Sequence, residues 1–222
     1  DTGAAMSPFA AWITIQGLIA GQEYAYQYYV DGELKLADPY CDKVLDPWND
    51  KWIPEENYPN LKPYPFDLTT GIVSVFQTAK QPYDWAINDF TPVAVNETQS
   101  NLIIYELLVR DFVSDRRILS VMDSLDYLKS LGINAIELMP INEFEGNDSW
   151  GYNPSFYFAT DKAYGTTNDY KTFIDACHQK GIAVILDVVL NHSFGQSPLV
   201  KMYWDKQSNM PTAQNPYYNQ IA

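Results

Sequence analysis

The chain has 222 residues, 46% of them hydrophobic, with 14 Lys+Arg against 28 Asp+Glu and a formal net charge of −14. That length admits one large domain or two modest ones with a sizeable core, and the acidic balance disfavours nucleic acid and anionic membrane as partners. The two cysteines, Cys41 and Cys177, exclude a disulfide framework, and no apolar run approaches the length of a membrane span. Aromatic residues make up 15%, including seventeen Tyr and six Trp; such rings suit carbohydrate surfaces and aromatic-rich β cores alike. No charged, apolar and small-residue leader starts at Asp1, so any export signal is expected outside this chain. An acidic surface without a disulfide framework suits a secreted or periplasmic enzyme better than a cytoplasmic one.

Residues 9–36 read as β structure. Trp12-Ile13-Thr14-Ile15 is strand-like, Gly17 through Gly21 supplies a turn, and Tyr24, Tyr26, Tyr28 and Val30 share one face of a strand. Asp31-Gly32 is a hairpin signal, with alternation resuming at Leu34 and Leu36. Residues 37–70 are interrupted by prolines that forbid long helices, and Gly71–Phe76 reads as another strand. These strands are too few for a complete sandwich, which takes about seven, so residues 1–80 read as an incomplete β-sandwich module. A linker over 81–100 follows.

From Asn101 the pattern changes. Leu102–Val109 reads as a buried strand, and Ile118, Val121, Met122, Leu125, Leu128 and Leu131 recur at helical spacing before Gly132. Ile133–Met139 is a second strand stopped by Pro140, and a long loop runs to about residue 167. Asn168-Asp169 is the expected cap of a helix carrying Tyr170, Phe173, Ile174 and Cys177 and closed by Gly181. Ile182-Ala183-Val184-Ile185-Leu186 then reads as a strand buried on both faces, continuing past Asp187 to Asn191-His192. A carboxylate there is expensive to bury without a partner. Backbone donors holding Asp187 and a ligand site at the strand's carboxyl end are both open on strand physics alone.

Alternation of strand, helix, strand, helix, strand implies parallel crossovers. Long loops after strands and short ones after helices suit a (β/α)8 barrel with its site at the carboxyl face. The runner-up is a doubly wound open sheet, but no glycine-rich phosphate loop follows the strand at 102–109.

Asp187-Val188-Val189-Leu190-Asn191-His192, with Trp150-Gly151-Tyr152-Asn153-Pro154 upstream, Tyr164-Gly165-Thr166, and Ile104-Tyr105-Glu106 followed by Arg110-Asp111-Phe112, resembles the α-amylase superfamily, glycoside hydrolase family 13. The likeness covers roughly residues 101–195 and rests on the order and spacing of the blocks. Residues 9–40, with Val30-Asp31-Gly32 and Ala37-Asp38-Pro39-Tyr40, resemble the end of the starch-binding-type β-sandwich that precedes many such barrels. The implied architecture is a partial (β/α)8 TIM barrel, its first three strands lying in residues 101–222, behind a partial N-terminal β-sandwich.

The resemblance implies site roles. Tyr152 corresponds to an aromatic that stacks on the sugar beside the scissile bond, with Trp150 as a second sugar-facing ring or a loop plug. His192 corresponds to a histidine that donates to a hydroxyl of that sugar. Asp187 corresponds to an aspartate paired with an arginine beside the nucleophile. Asn191 corresponds to a calcium ligand in many α-amylases, an ion that members with a leading sandwich often lack, so no cofactor is required. At the usual first-strand histidine this chain has Leu108. Sequons at Asn96, Asn147 and Asn191 read as chance, since a glycan on Asn191 would block the site. Retaining hydrolysis needs a nucleophile and an acid/base about 5 Å apart, and no carboxylate pair within residues 1–222 matches those blocks. Glu137, Glu143 and Glu145 read as solvated or loop-structural. The implied parent is a retaining α-glucan hydrolase whose partner is an α-glucan polysaccharide or oligosaccharide, with this chain alone expected to lack turnover. A glucan-branching transferase and a non-catalytic glycan-binding scaffold are the alternatives.

Overall fold

The computed structural model describes residues 5–7, 10–92 and 101–220. Residues 93–100 of the expected linker, with the sequon at Asn96, lie outside them.

The N-terminal part is antiparallel throughout. Strands β1 (Ala5–Ser7) and β2 (Ala10–Trp12) pair with each other; the strand character expected at Ile13–Ile15 is absent, and those residues lie in coil. Strand β3 (Glu23–Tyr26) is followed by β4 (Tyr28–Val30) and β5 (Leu34–Leu36), which form the expected hairpin. Its turn places Asp31 at φ +52° and Gly32 at φ +72°, the left-handed pair that favours Asp-Gly. Strands β6 (Val44–Leu45) and β7 (Val73–Gln77) complete a three-stranded sheet in the order β3-β7-β6. Between them the proline-rich stretch holds only a 3₁₀ turn over Asp50–Trp52.

The C-terminal part centres on a parallel sheet of β8 (Ile104–Leu107), β9 (Ala135–Leu138) and, beyond the β10–β11 hairpin, β12 (Ala183–Leu186), in the order β12-β9-β8. In-register pairing sets Glu106 beside Glu137 and Glu137 beside Ile185. After β8 comes a single helical turn, α1 (Val109–Phe112). The helical periodicity at 118–131 resolves into α2 (Ile118–Val121), a 3₁₀ turn over Met122–Ser124, and α3 (Leu125–Ser130), ended by Gly132 at φ +84°. The loop expected from 140 to 167 contains an antiparallel hairpin of β10 (Asn142–Phe144) and β11 (Pro154–Thr160). Two register shifts bend that pairing, and such irregularity blurs a two-residue alternation.

Helix α4 (Thr167–Gln179) is capped by Thr166 rather than by Asn168-Asp169. Thr166 Oγ1 accepts from Asp169 N at 3.2 Å while the Asp169 carboxylate accepts from Thr166 N at 2.8 Å. This reciprocal box satisfies two otherwise orphaned amides. Past β12 lie α5 (Pro198–Lys201) and a small ribbon of β13 (Trp204–Asp205) with β14 (Met210–Pro211).

One face of the parallel sheet is covered by α2, α3 and α4. Leu107, Ile136 and Leu138 pack there against Ile118, Leu128 and Phe173 in the main core. Because strand side chains alternate, Glu106 and Glu137 fall on the other, open face.

The strand expected over 182–192 is only four residues long, and it is not buried on both faces. β12 pairs with β9 alone, so it is an edge strand in the described sheet, and Leu186, Val188 and Leu190 are exposed. Backbone hydrogen bonding to the sheet ends where Asp187 N donates to Leu138 O at 3.1 Å.

The two parts share a small core in which Phe156 of β11 packs with Ala37, Cys41, Val44 and Ile72. Cys41 and Cys177 are both buried and free. No helix among the described residues is long and apolar enough to cross a membrane. Residues 83–90 run along α4. Ala86 N and Ile87 N donate to the Asp175 carboxylate at 2.8 and 3.0 Å, and Phe90 stacks on His178 with ring centroids 3.9 Å apart.

Candidate functional site

At the carboxyl end of the parallel sheet, two distant segments meet. Tyr152 Oη donates to Asp187 Oδ2 at 2.7 Å, and His192 Nε2 lies 2.7 Å from Tyr152 O. Three of the residues singled out in the sequence therefore form one hydrogen-bonded cluster. Asp187 is half-buried rather than fully enclosed, and its partner among the described residues is a phenol.

The loop that delivers Tyr152 is held by its glycine. Gly151 sits at φ +94°, and a Cβ there would lie 2.2 Å from Pro140 O. Only glycine lets the chain pass that carbonyl. Gly151 N donates to Ser149 Oγ at 3.0 Å, and Ser149 Oγ also bonds Asn153 Oδ1. The His192 segment is fastened to the β10–β11 hairpin: Tyr157 Oη donates to His192 O at 2.9 Å and Phe194 N to Pro154 O at 2.8 Å.

The Tyr152 ring is 38% exposed. Its hydroxyl is pushed up to about 12, first by donating to Asp187, then by desolvation and by the negative charge of Asp187, Glu106 and Glu137. The phenol thus stays protonated at neutral pH and remains a donor. Glu106 and Glu137 were not singled out in the sequence as members of this site. The signal was there in the alternation of β8 and β9, which sets both opposite the core-facing Leu107 and Leu138.

Trp150 is 60% exposed, so it does not plug the loop. Asn191 is exposed too. No group of three or more His, Cys, Asp or Glu side chains placed to hold a metal ion occurs among the described residues, so the Asn191 amide has no carboxylate set around it of the kind a calcium ion takes.

Of the two readings given for Glu143, solvated or structural, the first is excluded. Glu143 is 7% exposed, and its carboxylate is hydrogen-bonded to Lys162. Lys162 also lies 3.3 Å from Asp50 in the N-terminal part. Asp161, beside it in sequence and equally buried, accepts from Ala163 N at 2.8 Å and Phe144 N at 3.2 Å. Burial raises both Glu143 and Asp161, with the Lys162 ammonium opposing it. Three carboxylates around one ammonium cannot all ionise in a dry setting without excess negative charge. The cluster belongs to the joint between the two parts, so its work is structural.

Comparison with known proteins bears on this geometry. The alpha amylase catalytic domain model matches residues 118–221. A malto-oligosyltrehalose trehalohydrolase of Saccharolobus solfataricus is 36% identical over 122 residues, covering 55% of this chain and 21% of that protein. A 1,4-alpha-glucan branching enzyme of Saccharophagus degradans is 38% identical over 120 residues, covering 50% and 16%. The chain thus spans about a fifth of the length of these curated relatives. Among solved structures, a Salmonella typhimurium protein assigned as an alpha amylase superposes with a TM-score of 0.62 at 26% identity, covering 89% of this chain and 29% of that one. The pullulanase SAP of Group B Streptococcus, solved with maltotetraose, gives 0.57 at 25% identity, covering 77% and 25%. The parallel sheet with its helices is therefore part of a TIM-barrel-type α/β fold, and the segment that carries Tyr152, Asp187 and His192, residues 118–221, matches the alpha-amylase catalytic domain family.

Proposed function

We propose that the protein of which this chain forms part is an α-glucan-active glycoside hydrolase that cleaves α-glucosidic bonds of starch- or glycogen-type chains with retention. The observation that carries the proposal is the meeting of Tyr152, Asp187 and His192 at the carboxyl end of the parallel sheet, where barrel enzymes place their chemistry. Tyr152 stacks its ring on the apolar face of a glucose unit, and Asp187 and His192 hold that ring and bind sugar hydroxyls. Trp150, exposed on the same loop, supplies a second sugar-facing ring. Nucleophile and acid/base are not assigned among residues 1–222, so turnover is a property of the whole protein. Residues 1–80 act as the starch-binding-type β-sandwich module, 81–100 as the linker and 101–222 as the opening part of the barrel.

The test is Tyr152→Ala in the complete protein with maltoheptaose as substrate. We expect kcat/KM to fall at least tenfold while the melting temperature moves by less than about 2 °C. A sharp drop in melting temperature with unchanged activity per folded molecule makes Tyr152 a packing residue and refutes the assignment. Similarity to a branching enzyme supports a second reading, transfer rather than hydrolysis. Product analysis separates them: hydrolysis releases reducing ends in proportion to bonds cut, whereas branching forms new α-1,6 linkages without net release.

A further inference from the structure

A second concavity lies away from the Tyr152–Asp187–His192 cluster. A cleft of about 620 Å³ opens between the two parts of the chain, with Trp52, Glu56 and Asn57 on one wall and Arg116, Arg117 and Asn147 on the other. Trp52 is 72% exposed, with Lys51 Nζ over its ring at 5.1 Å from the centroid. An indole this exposed offers an apolar surface beside the Lys51 ammonium.

The opposite wall carries two arginines on a backbone that its neighbours hold in place. All three arginines of this acidic chain fall between residues 110 and 117. Arg116 has φ +57°, a left-handed backbone that a residue with a bulky side chain adopts only when its surroundings impose it. The surroundings do so. Arg116 N donates to Val113 O at 3.1 Å, and Asn57 Nδ2, reaching across the joint, donates to Asp115 O at 3.3 Å. Arg117 N and Ser120 Oγ donate to the Asp115 carboxylate at 3.2 and 2.5 Å. The Arg116 side chain is 47% exposed and meets Asp148 at 3.6 Å, a contact that uses few of its five N–H donors.

A flat ring beside guanidinium donors and amide and carboxylate groups suits a pyranose with an apolar C–H face and a rim of hydroxyls. The cleft also lies on the same loop as the sugar-facing tyrosine. Asn147 and Tyr152 are five residues apart, so at most about 18 Å separates them, a span that one oligosaccharide bridges.

We propose that this cleft is an outer binding subsite for α-glucan chains, with Trp52 as the stacking platform and Arg116 as the hydroxyl donor. It rests on the α-glucan reading of the sheet-end site and adds a long-chain preference to it. The subsite anchors a polymer while a different stretch of the same chain occupies the Tyr152 cluster.

The test uses the complete protein with glycogen, maltoheptaose and maltotriose. Trp52→Ala is expected to raise KM for glycogen about tenfold and to reduce the change in tryptophan fluorescence on maltoheptaose binding to the part contributed by Trp150, with kcat on maltotriose within twofold of wild type. Arg116→Gly removes the guanidinium and relieves the positive φ, so KM for glycogen should rise while the melting temperature holds or increases. A glycogen KM within twofold of wild type in both variants, each with an unchanged melting temperature, overturns the subsite. The two proposals separate cleanly: Tyr152→Ala affects maltotriose and glycogen alike, whereas Trp52→Ala affects long chains only. A wild-type protein that neither binds nor processes glycogen overturns both.

Discussion

Lys162→Met is the most direct probe of how the two parts of the chain are joined. The wild-type ammonium is buried and shared between Glu143 and Asp50, with Asp161 adjacent. Methionine keeps most of the volume and removes the ammonium that opposes the carboxyls of Glu143, Asp161 and Asp50. Stranding one buried charge by deleting its partner costs about 3–5 kcal/mol. For a chain of this length each kcal/mol is worth about 2–4 °C, so the melting temperature should fall by about 6–20 °C. The loss should also depend on pH in a defined direction. At pH 5 the three carboxyls can take up protons and escape the missing charge; at pH 8 retaining those protons works against the solvent. The deficit is therefore larger at pH 8, growing by up to about 1.4 kcal/mol per pH unit for each proton that the variant retains and the wild type releases. Urea denaturation at both pH values, with calorimetry alongside, reads this out. A deficit under 1 kcal/mol at pH 8, or one larger at pH 5, refutes the view that Lys162 is the counter-ion of a buried acidic joint.

Other expectations follow from the same geometry. Glu143, raised chiefly by burial, keeps its proton in the folded state after the unfolded chain has lost it, so its contribution is whole below the ordinary carboxylate range and fades as pH rises through its raised folded value. Glu143→Gln should flatten the fall in unfolding free energy between those limits, and an unchanged slope in denaturation series would contradict it. Phe156→Ala removes a ring that is 1% exposed and packed between the two parts; it should cost about 3–5 kcal/mol and speed thiol modification of Cys41, whereas unaltered Cys41 reactivity places the ring outside the joint. Gly151→Ala drives a Cβ into Pro140 O and displaces the loop carrying Tyr152. It should lower both melting temperature and glucan turnover in the complete protein, and full turnover would show that the loop can relax. Tyr152→Phe keeps the ring but loses the bond to Asp187, so it should retain more activity than Tyr152→Ala in the same kinetic assay.

Local pattern carried much of what this chain builds. The Asp-Gly hairpin, the helix ended by Gly132 and the parallel strands at 104–107 and 135–138 follow from turn chemistry and periodicity, which are short-range and written residue by residue. Tyr152, Asp187 and His192 were named from motif spacing, and the fold brings the three together. Other features had no local signature. Whether a run of β-branched residues at 182–186 is central or at an edge depends on what pairs beside it, and here β12 has one neighbour in the described sheet. The hairpin inside the loop at 140–167 is bent by register shifts that break simple alternation. The burial of Glu143 was invisible because its counter-ion stands nineteen residues away and the third member, Asp50, comes from the other part of the chain. An ion cluster assembled across a joint leaves no periodic trace in the sequence, since the free energy that buries it is released only when distant segments close around it.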